Sequence, residues 1–275
     1  MLISLTTDFG LQDGYVGTMK VVMAGIAPGV MQVDITHEIP PQDVGAAAYV
    51  LWTSLPYFPA QSVHLVVVDP GVGTARRAIA SQTSWGTLVG PDNGVFSYIW
   101  HAAPPQLTVA LEAPAYRRAA VSRTFHGRDI FAPAAAHMAV GVPLTAFGPE
   151  VDDPVRLPVP RMSMSGESIH GEVIYIDRFG NAITSIGRLV WDGRLLRLDP
   201  VFAETEPRVI QAELVAVRVG GRSMGTIRRT YGEVAPGEVL ALVGSEGLLE
   251  IAMHGGHGAR ELGLAVGDPV EIAAI

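Results

Sequence analysis

The sequence contains no cysteine, which removes disulfide bridges, thiolate nucleophiles, iron–sulfur clusters and thiolate-bound structural zinc in one step. Lysine is nearly as scarce: Lys20 is the single one, within an ordinary helical pattern, so Schiff-base chemistry lacks a carrier. Only 17% of residues are charged, and acids outnumber bases by 27 to 19. The resulting net charge of −8 gives no general attraction for a phosphate backbone and argues against nucleic acid as a partner. Long apolar runs are missing too. The longest uncharged stretch, Val44 to Val68, is interrupted by Pro56 and Pro59 and reads as a helix followed by a strand, not as a membrane span. The N-terminus has no basic flank before its apolar run and meets Asp8 too early for a signal peptide, so a cytoplasmic protein is expected.

What is present suffices for a large core. With 275 residues, 48% of them hydrophobic, the chain buries enough surface to fold without staples. The first 150 or so residues alternate short apolar runs with amphipathic ones, the pattern of βα units around a mainly parallel sheet. Leu2 to Thr7 and Val30 to Ile35 read as strands, and Asp13 and Asp43 as caps of the helices that follow. Val63 to Val68 is a β-branched run of the kind buried on both faces, and it stops at Asp69-Pro70-Gly71. Further strands are expected at Ala78 to Gln82 and Gly86 to Val89, and helices at Val95 to His101 and Ile130 to Val140, the last capped by Asp129. After the Pro-rich segment Leu157 to Gly166 the texture changes to short β-rich runs between Gly and Pro turns, which suggests a small antiparallel barrel. The expected organisation is an α/β N-terminal domain over residues 1–156, a linker over 157–166 and a smaller antiparallel β-barrel domain over 167–275.

Ligands of open α/β sheets collect at the carboxyl ends of the strands, so Asp8 and Asp69, each where an apolar strand stops, are candidates for one site, with Asp34 near a third strand end. Each also reads as a simple turn cap. Gly71-Val72-Gly73-Thr74-Ala75-Arg76-Arg77 lacks both the third glycine of a dinucleotide fingerprint and a Walker lysine, but it is a turn able to fold Arg76 back toward Asp69. His126 stands in Phe125-His126-Gly127-Arg128-Asp129. No HExxH spacing occurs, and glycines hold His254 and His257 too loosely for a metal, so none is expected. A nucleophilic serine at Gly244-Ser245-Glu246-Gly247 fails as well, since the spacing is wrong for an elbow. Ile176-Asp177-Arg178-Phe179-Gly180-Asn181 groups a carboxylate, an aromatic and an amide after a strand, suited to gripping a base and an amine, though a plain β-turn has the same composition.

Taken together, TTDFG, DITHEIPPQDV, VVVDPGVGTARR, PDNGVFS, FHGRD, IDRFGN and GSEG, in this order and spacing, resemble the S-adenosyl-L-methionine hydroxide adenosyltransferases, hydrolytic relatives of the fluorinating and chlorinating enzymes. The resemblance runs from Leu5 to about Ala259. It implies hydrolysis of S-adenosyl-L-methionine to adenosine and L-methionine without a cofactor, in a homotrimer whose sites combine neighbouring subunits. Asp69, Arg76 and His126 match the water-activating trio, and Asp8 matches the carboxylate that holds the ribose hydroxyls. Asp177, Ser245 and Glu246 fall around the amino acid moiety, and Phe179 and Asn181 match adenine contacts. Two positions depart from the pattern: Glu246 replaces an arginine of the halogenating relatives, and HGGHGAR lacks an asparagine expected near the adenine.

The implied chemistry suits these residues, because a sulfonium expels a neutral thioether and needs no general acid. The nucleophile must be oriented and made more reactive, with His126 orienting water or taking its proton, Arg76 stabilising hydroxide character and Asp69 fixing both. A carboxylate at the nucleophile position repels halide, which argues for hydroxide over 5′-halogenation. The remaining alternative is a protein that binds S-adenosylmethionine or adenosine without turnover.

Overall fold

The computed structural model describes all 275 residues, which divide into two compact units, Met1–Pro158 and Val159–Ile275. The N-terminal unit runs β1 (Leu2–Thr7), α1 (Tyr15–Ile26), β2 (Met31–Thr36), α2 (Val44–Ser54), β3 (Val63–Val67), β4 (Ala78–Thr83), β5 (Gly86–Pro91), α3 (Ser97–Ala102), β6 (Leu107–Ala110) and α4 (Ala132–Ala139). Its sheet has the order β2-β1-β3-β5-β4-β6 and is mixed, not mainly parallel as the sequence suggested. β2, β1, β3 and β5 pair in parallel, whereas β4 runs antiparallel to both β5 and β6. The reversal has a local cause: only Ser84 and Trp85 separate β4 from β5, a length that closes a hairpin and leaves no room for a crossover helix.

Strand alternation divides the sheet between two helix pairs. Ile3, Leu5, Leu65 and Val67 share a core with Met19 and Met23 of α1 and the alanines of α4. Small side chains on α4 (Ala132, Ala134, Ala135, Ala136) let this helix lie close to both α1 and β3. On the opposite face Ser81 accepts from Trp100 of α3, and α3 packs on α2. Asp43 caps α2 by accepting from the Ala46 amide at 2.8 Å. Asp13 does not cap α1, which begins after Gly14 without a side-chain cap. No helix is long and apolar enough to cross a membrane.

The C-terminal unit comprises β7 (Ser163–Ser165), β8 (Ser168–Ile176), β9 (Ala182–Thr184), β10 (Leu189–Asp192), β11 (Leu195–Leu198), β12 (Arg208–Gln211), β13 (Val215–Val219), β14 (Arg222–Gly225), β15 (Ile227–Arg228), β16 (Val239–Val243), β17 (Leu249–Met253), α5 (Gly258–Leu262) and β18 (Pro269–Ala274). Nine strands form one curled sheet, ordered β14-β13-β18-β8-β9-β17-β16-β15 with β7 against β8, and β10, β11 and β12 form a second. Where an antiparallel barrel was expected, the large sheet leaves β14 and β15 as edges and carries one parallel pairing, β15 with β16. β7 occupies part of the segment read as linker and belongs to this sheet.

One buried polar pair has a measurable consequence. Ser4 and His64 are cross-strand partners on β1 and β3, with Ser4 Oγ 2.8 Å from Nδ1 and the Trp85 carbonyl 3.1 Å from Nε2. Nε2–H therefore donates and Nδ1 accepts, which satisfies a neutral imidazole. Burial pushes His64 down to about 4 from 6.5. The unfolded chain then binds more protons than the native one between these values, so stability is complete above pH 6.5 and falls as pH drops toward 4. Chemical denaturation over this range should show a loss about 3 kcal/mol larger in the wild-type protein than in His64→Gln; equal slopes would contradict the assignment.

Candidate active site

β1 and β3 are adjacent and parallel, Thr7 opposite Val67, while β2 lies on the far side of β1. Strand order reverses at this gap, and such a reversal opens a crevice at the carboxyl ends of the strands. Asp8 follows β1 immediately and Asp69 lies two residues beyond β3, so the topology brings two carboxylates to one edge. Asp34 is drawn away: on β2 it pairs with Lys20 at 2.6 Å. Asp8 accepts from the Gln42 amide at 2.8 Å, and Gln42 holds a left-handed φ of 67°.

The Asp69–Arg77 loop folds back as its sequence suggested. The Thr74 hydroxyl donates to the Gly71 carbonyl at 2.7 Å and closes the turn. Gly73 has φ 77°, and a Cβ there would collide with the Arg123 carbonyl, so this close approach between two loops requires glycine. Arg76 returns to Asp69, donating from Nε to Oδ1 at 2.8 Å and from Nη2 to Oδ2. Nη2 also donates to His126 Nδ1 at 3.0 Å, and Nη1 donates to the Arg77 carbonyl at 3.2 Å. Four of the five guanidinium N–H bonds are thereby accounted for. The guanidinium lies 5.1 Å from the ring centre of Phe131. Arg77, next in the chain, turns to Asp92 and Asp153 instead.

His126 immediately precedes a π-helical turn, Gly127–Phe131, that leads into α4. Asp129 does not cap the helix as its position suggested. It is fully buried and accepts from the Ser122 amide and from Arg128, which fastens the loop carrying His126. Arg128 also covers Phe125, and Phe125 meets Phe9 and Tyr15 edge-on at 6.0 and 5.2 Å. These rings tie the loop after Asp8 to the loop before His126.

The electrostatics follow. Burial, then the cation of Arg76, hold His126 below its ordinary 6.5, against the opposite pull of Asp69 and Asp129. The ring is neutral at pH 7. Arginine only donates, so Nδ1 carries the lone pair and the ring proton resides on Nε2. Asp69 is no bare charge either: both oxygens are engaged by Arg76, and the pair is neutral overall. Repulsion of a halide by a naked carboxylate, the expectation from sequence, therefore does not operate here.

The C-terminal candidates converge separately. Asp177 Oδ1 accepts from the amides of Phe179 and Asn181 at 2.9 and 2.8 Å, and its Oδ2 accepts from Asn181 Nδ2 at 2.9 Å. Asp177 therefore shapes the turn that presents the other two. Phe179, though aromatic, is 75% exposed and, with Asn181, Tyr231, Met253 and His257, lines a cavity of about 600 Å³. Ser245 is exposed and donates to Glu246 across 3.4 Å. His254 and His257 have protein partners, the Val234 carbonyl and the Arg260 amide. Sequence reasoning missed Phe131, Tyr231 and Glu250, which reach their neighbours through tertiary contacts that no spacing announces.

Residues 3–148 match the family described as SAM hydroxide adenosyltransferase N-terminal domain, and residues 171–271 match its C-terminal domain. The chain is 45% identical to a Thermus thermophilus protein named (R)-S-adenosyl-L-methionine hydrolase, over 97% of each chain. It is 44% identical to a protein of the same name from Salinispora tropica, over 99% of this chain and 97% of the relative. A fluorinase from an Actinoplanes species is more distant, 32% identical over 68% of this chain and 72% of its own. The solved structure of a conserved Thermotoga maritima protein superposes with a TM-score of 0.85 at 35% identity, covering 99% of this chain and all of the other. On the strength of both domain matches and these full-length similarities, the chain belongs to the SAM hydroxide adenosyltransferase family.

Proposed function

We propose that the protein hydrolyses S-adenosyl-L-methionine to adenosine and L-methionine, with water attacking the ribose 5′ carbon under the control of Asp69, Arg76 and His126. One observation carries the mechanism: Arg76 binds both oxygens of Asp69 and still donates to Nδ1 of His126. A C5′–O bond forms as the C5′–S bond breaks, and the bonding pair stays on sulfur. Methionine leaves as a neutral thioether, the water oxygen becomes the 5′-hydroxyl, and one proton passes to solvent. With its proton on Nε2, His126 serves as a donor to the attacking oxygen, and Arg76 adds positive charge beside it. Together they stabilise hydroxide character in the transition state. Asp69 positions Arg76 and cancels the net charge that would otherwise hold any anion.

Asp8 would take the ribose hydroxyls, Phe179 would stack on the adenine and Asn181 would bond its edge. Asp177, Ser245 and Glu246 would surround the amino acid, where the Glu246 carboxylate suits the α-ammonium. The preference for water over halide is supported by the hydrolase names of the more similar relatives. Those names also specify a configuration: L fixes the α-carbon, so R describes the sulfonium, and we assign the same epimer to this chain. The working form we propose is a cytoplasmic homotrimer that completes each site from neighbouring subunits, with a sedimentation mass three times 29.1 kDa.

In ¹⁸O-labelled water with added chloride, a mixture of sulfonium epimers should yield adenosine labelled at the 5′ oxygen, unlabelled methionine and residual S epimer, with no 5′-chloro nucleoside by mass spectrometry. Absence of adenosine would sink the reading. Arg76→Lys, which cannot span Asp69 and His126 together, should lower kcat at least about 100-fold with little change in KM. Burial and Arg76 depress His126, so its Nδ1 takes a proton only below pH 6.5, where it would lose the Arg76 hydrogen bond and the orientation this gives the ring; activity should fall there, and the kcat profile of His126→Gln should lack that acid limb.

A further inference from the structure

The turn between β16 and β17 has a charged side chain against each of its ends, and the two charges are opposite. Gly244-Ser245-Glu246-Gly247 closes on a hydrogen bond from the Gly247 amide to the Gly244 carbonyl at 3.0 Å. A Cβ at Gly244 would strike the carboxyl group of Glu250. At Gly247, where φ is 76°, a Cβ would strike the side chain of Arg188, with Cγ only 2.6 Å away. Glycine at both ends lets these side chains lie on the turn.

Arg188 is held there by its own backbone. It lies in the connection from β9 to β10, which runs alongside the turn: the Leu249 amide donates to the Ile186 carbonyl at 2.8 Å, and the Leu189 amide donates to the Gly247 carbonyl at 2.6 Å. Arg188 and Asp199 also exchange backbone hydrogen bonds on its other side. The guanidinium, by contrast, has no hydrogen bond or ion pair within the protein, since Asp199 pairs with Arg197 and Glu246 accepts only from Ser245. A fixed stem with a free planar fork suits a carboxylate, which it binds through two parallel hydrogen bonds.

An α-amino acid presents an ammonium and a carboxylate together. The groups so far placed around it answer only the first. Burial, then the carboxylates of Asp177 and Glu246, push Glu250 up to about 7, as expected where acids crowd without a cation among them. Such a cluster attracts the ammonium and repels the carboxylate, which needs a cation at the other end of the turn. We infer that Arg188 is a substrate-binding residue that pairs with the α-carboxylate of S-adenosyl-L-methionine at the Gly247 end of the turn, while Glu246 takes the α-ammonium. The inference rests on the proposed reading that this turn faces the amino acid.

The test compares S-adenosyl-L-methionine with its decarboxylated analogue, which keeps the ammonium and has hydrogen in place of the α-carboxylate. Arg188→Met retains most of the stem and loses the fork. It should raise KM for S-adenosyl-L-methionine about 30-fold with kcat little changed, and leave kcat/KM for the analogue as it was. Arg188→Lys, which keeps the charge, should retain part of the preference and keeps the test open if the first variant does not fold. Equal losses on both substrates would mean that Arg188 only supports the turn, which would overturn the inference, as would a selective loss in Arg178→Met or Arg260→Met in its place. Glu246→Gln separates the two failures. If it raises KM for both substrates while the Arg188 variants keep the full preference, the turn faces the amino acid and the assignment of Arg188 is wrong; if neither residue alters either KM, the turn does not face the amino acid and both readings fall.

Discussion

The N-terminal site depends on one ion pair. Asp69 and Arg76 are seven residues apart and both nearly inaccessible, and each would be costly to bury alone. Paired through two hydrogen bonds they form a neutral, rigid unit, and the guanidinium is left with a donor directed at His126. That one contact determines which imidazole nitrogen bears the proton, and therefore whether His126 gives or takes a hydrogen bond. Lysine cannot replace this geometry, because a point charge lacks the planar fork.

The surrounding fold serves to place this pair. Parallel β1 and β3 end side by side at a reversal of strand order, which puts Asp8 and Asp69 at one edge. Glycine at 73 lets the returning loop touch the backbone of Arg123, and Asp129 fastens the turn that carries His126. A π-helical turn at this point widens the helix start and brings Phe131 beneath the Arg76 guanidinium. The fold thus supplies orientation, and the chemistry needs little else from it, because the sulfonium is its own leaving group.

Much of this is legible in the amino-acid sequence. Apolar runs that stop at aspartate mark β1 and β3, and the loop glycines before Arg76 signal a fold-back. Asp43 caps its helix as its position suggests, whereas Asp13 and Asp129 do not. A carboxylate before a helix is a candidate cap, but at Asp129 two arginines and a backbone amide outcompete the helix end. The antiparallel course of β4 escapes a sequence reading because the hairpin turn, Ser84-Trp85, lacks the Asn-Gly or Asp-Gly signal. Tyr231 and Glu250 are invisible for a different reason. They stand 50 and 69 positions from Asn181 in the chain, and only the curled sheet brings them near. The electrostatic role of Asp69 is likewise a matter of tertiary structure, since a sequence specifies a charge but not the partner that neutralises it.

Arg76 fixes His126 as a neutral donor with its proton on Nε2. Nitrogen-15 NMR of imidazole-labelled protein at pH 7.5 reads this directly. An unprotonated Nδ1 and a protonated Nε2 are expected for His126. A proton on Nδ1, or an imidazolium at that pH, would contradict it.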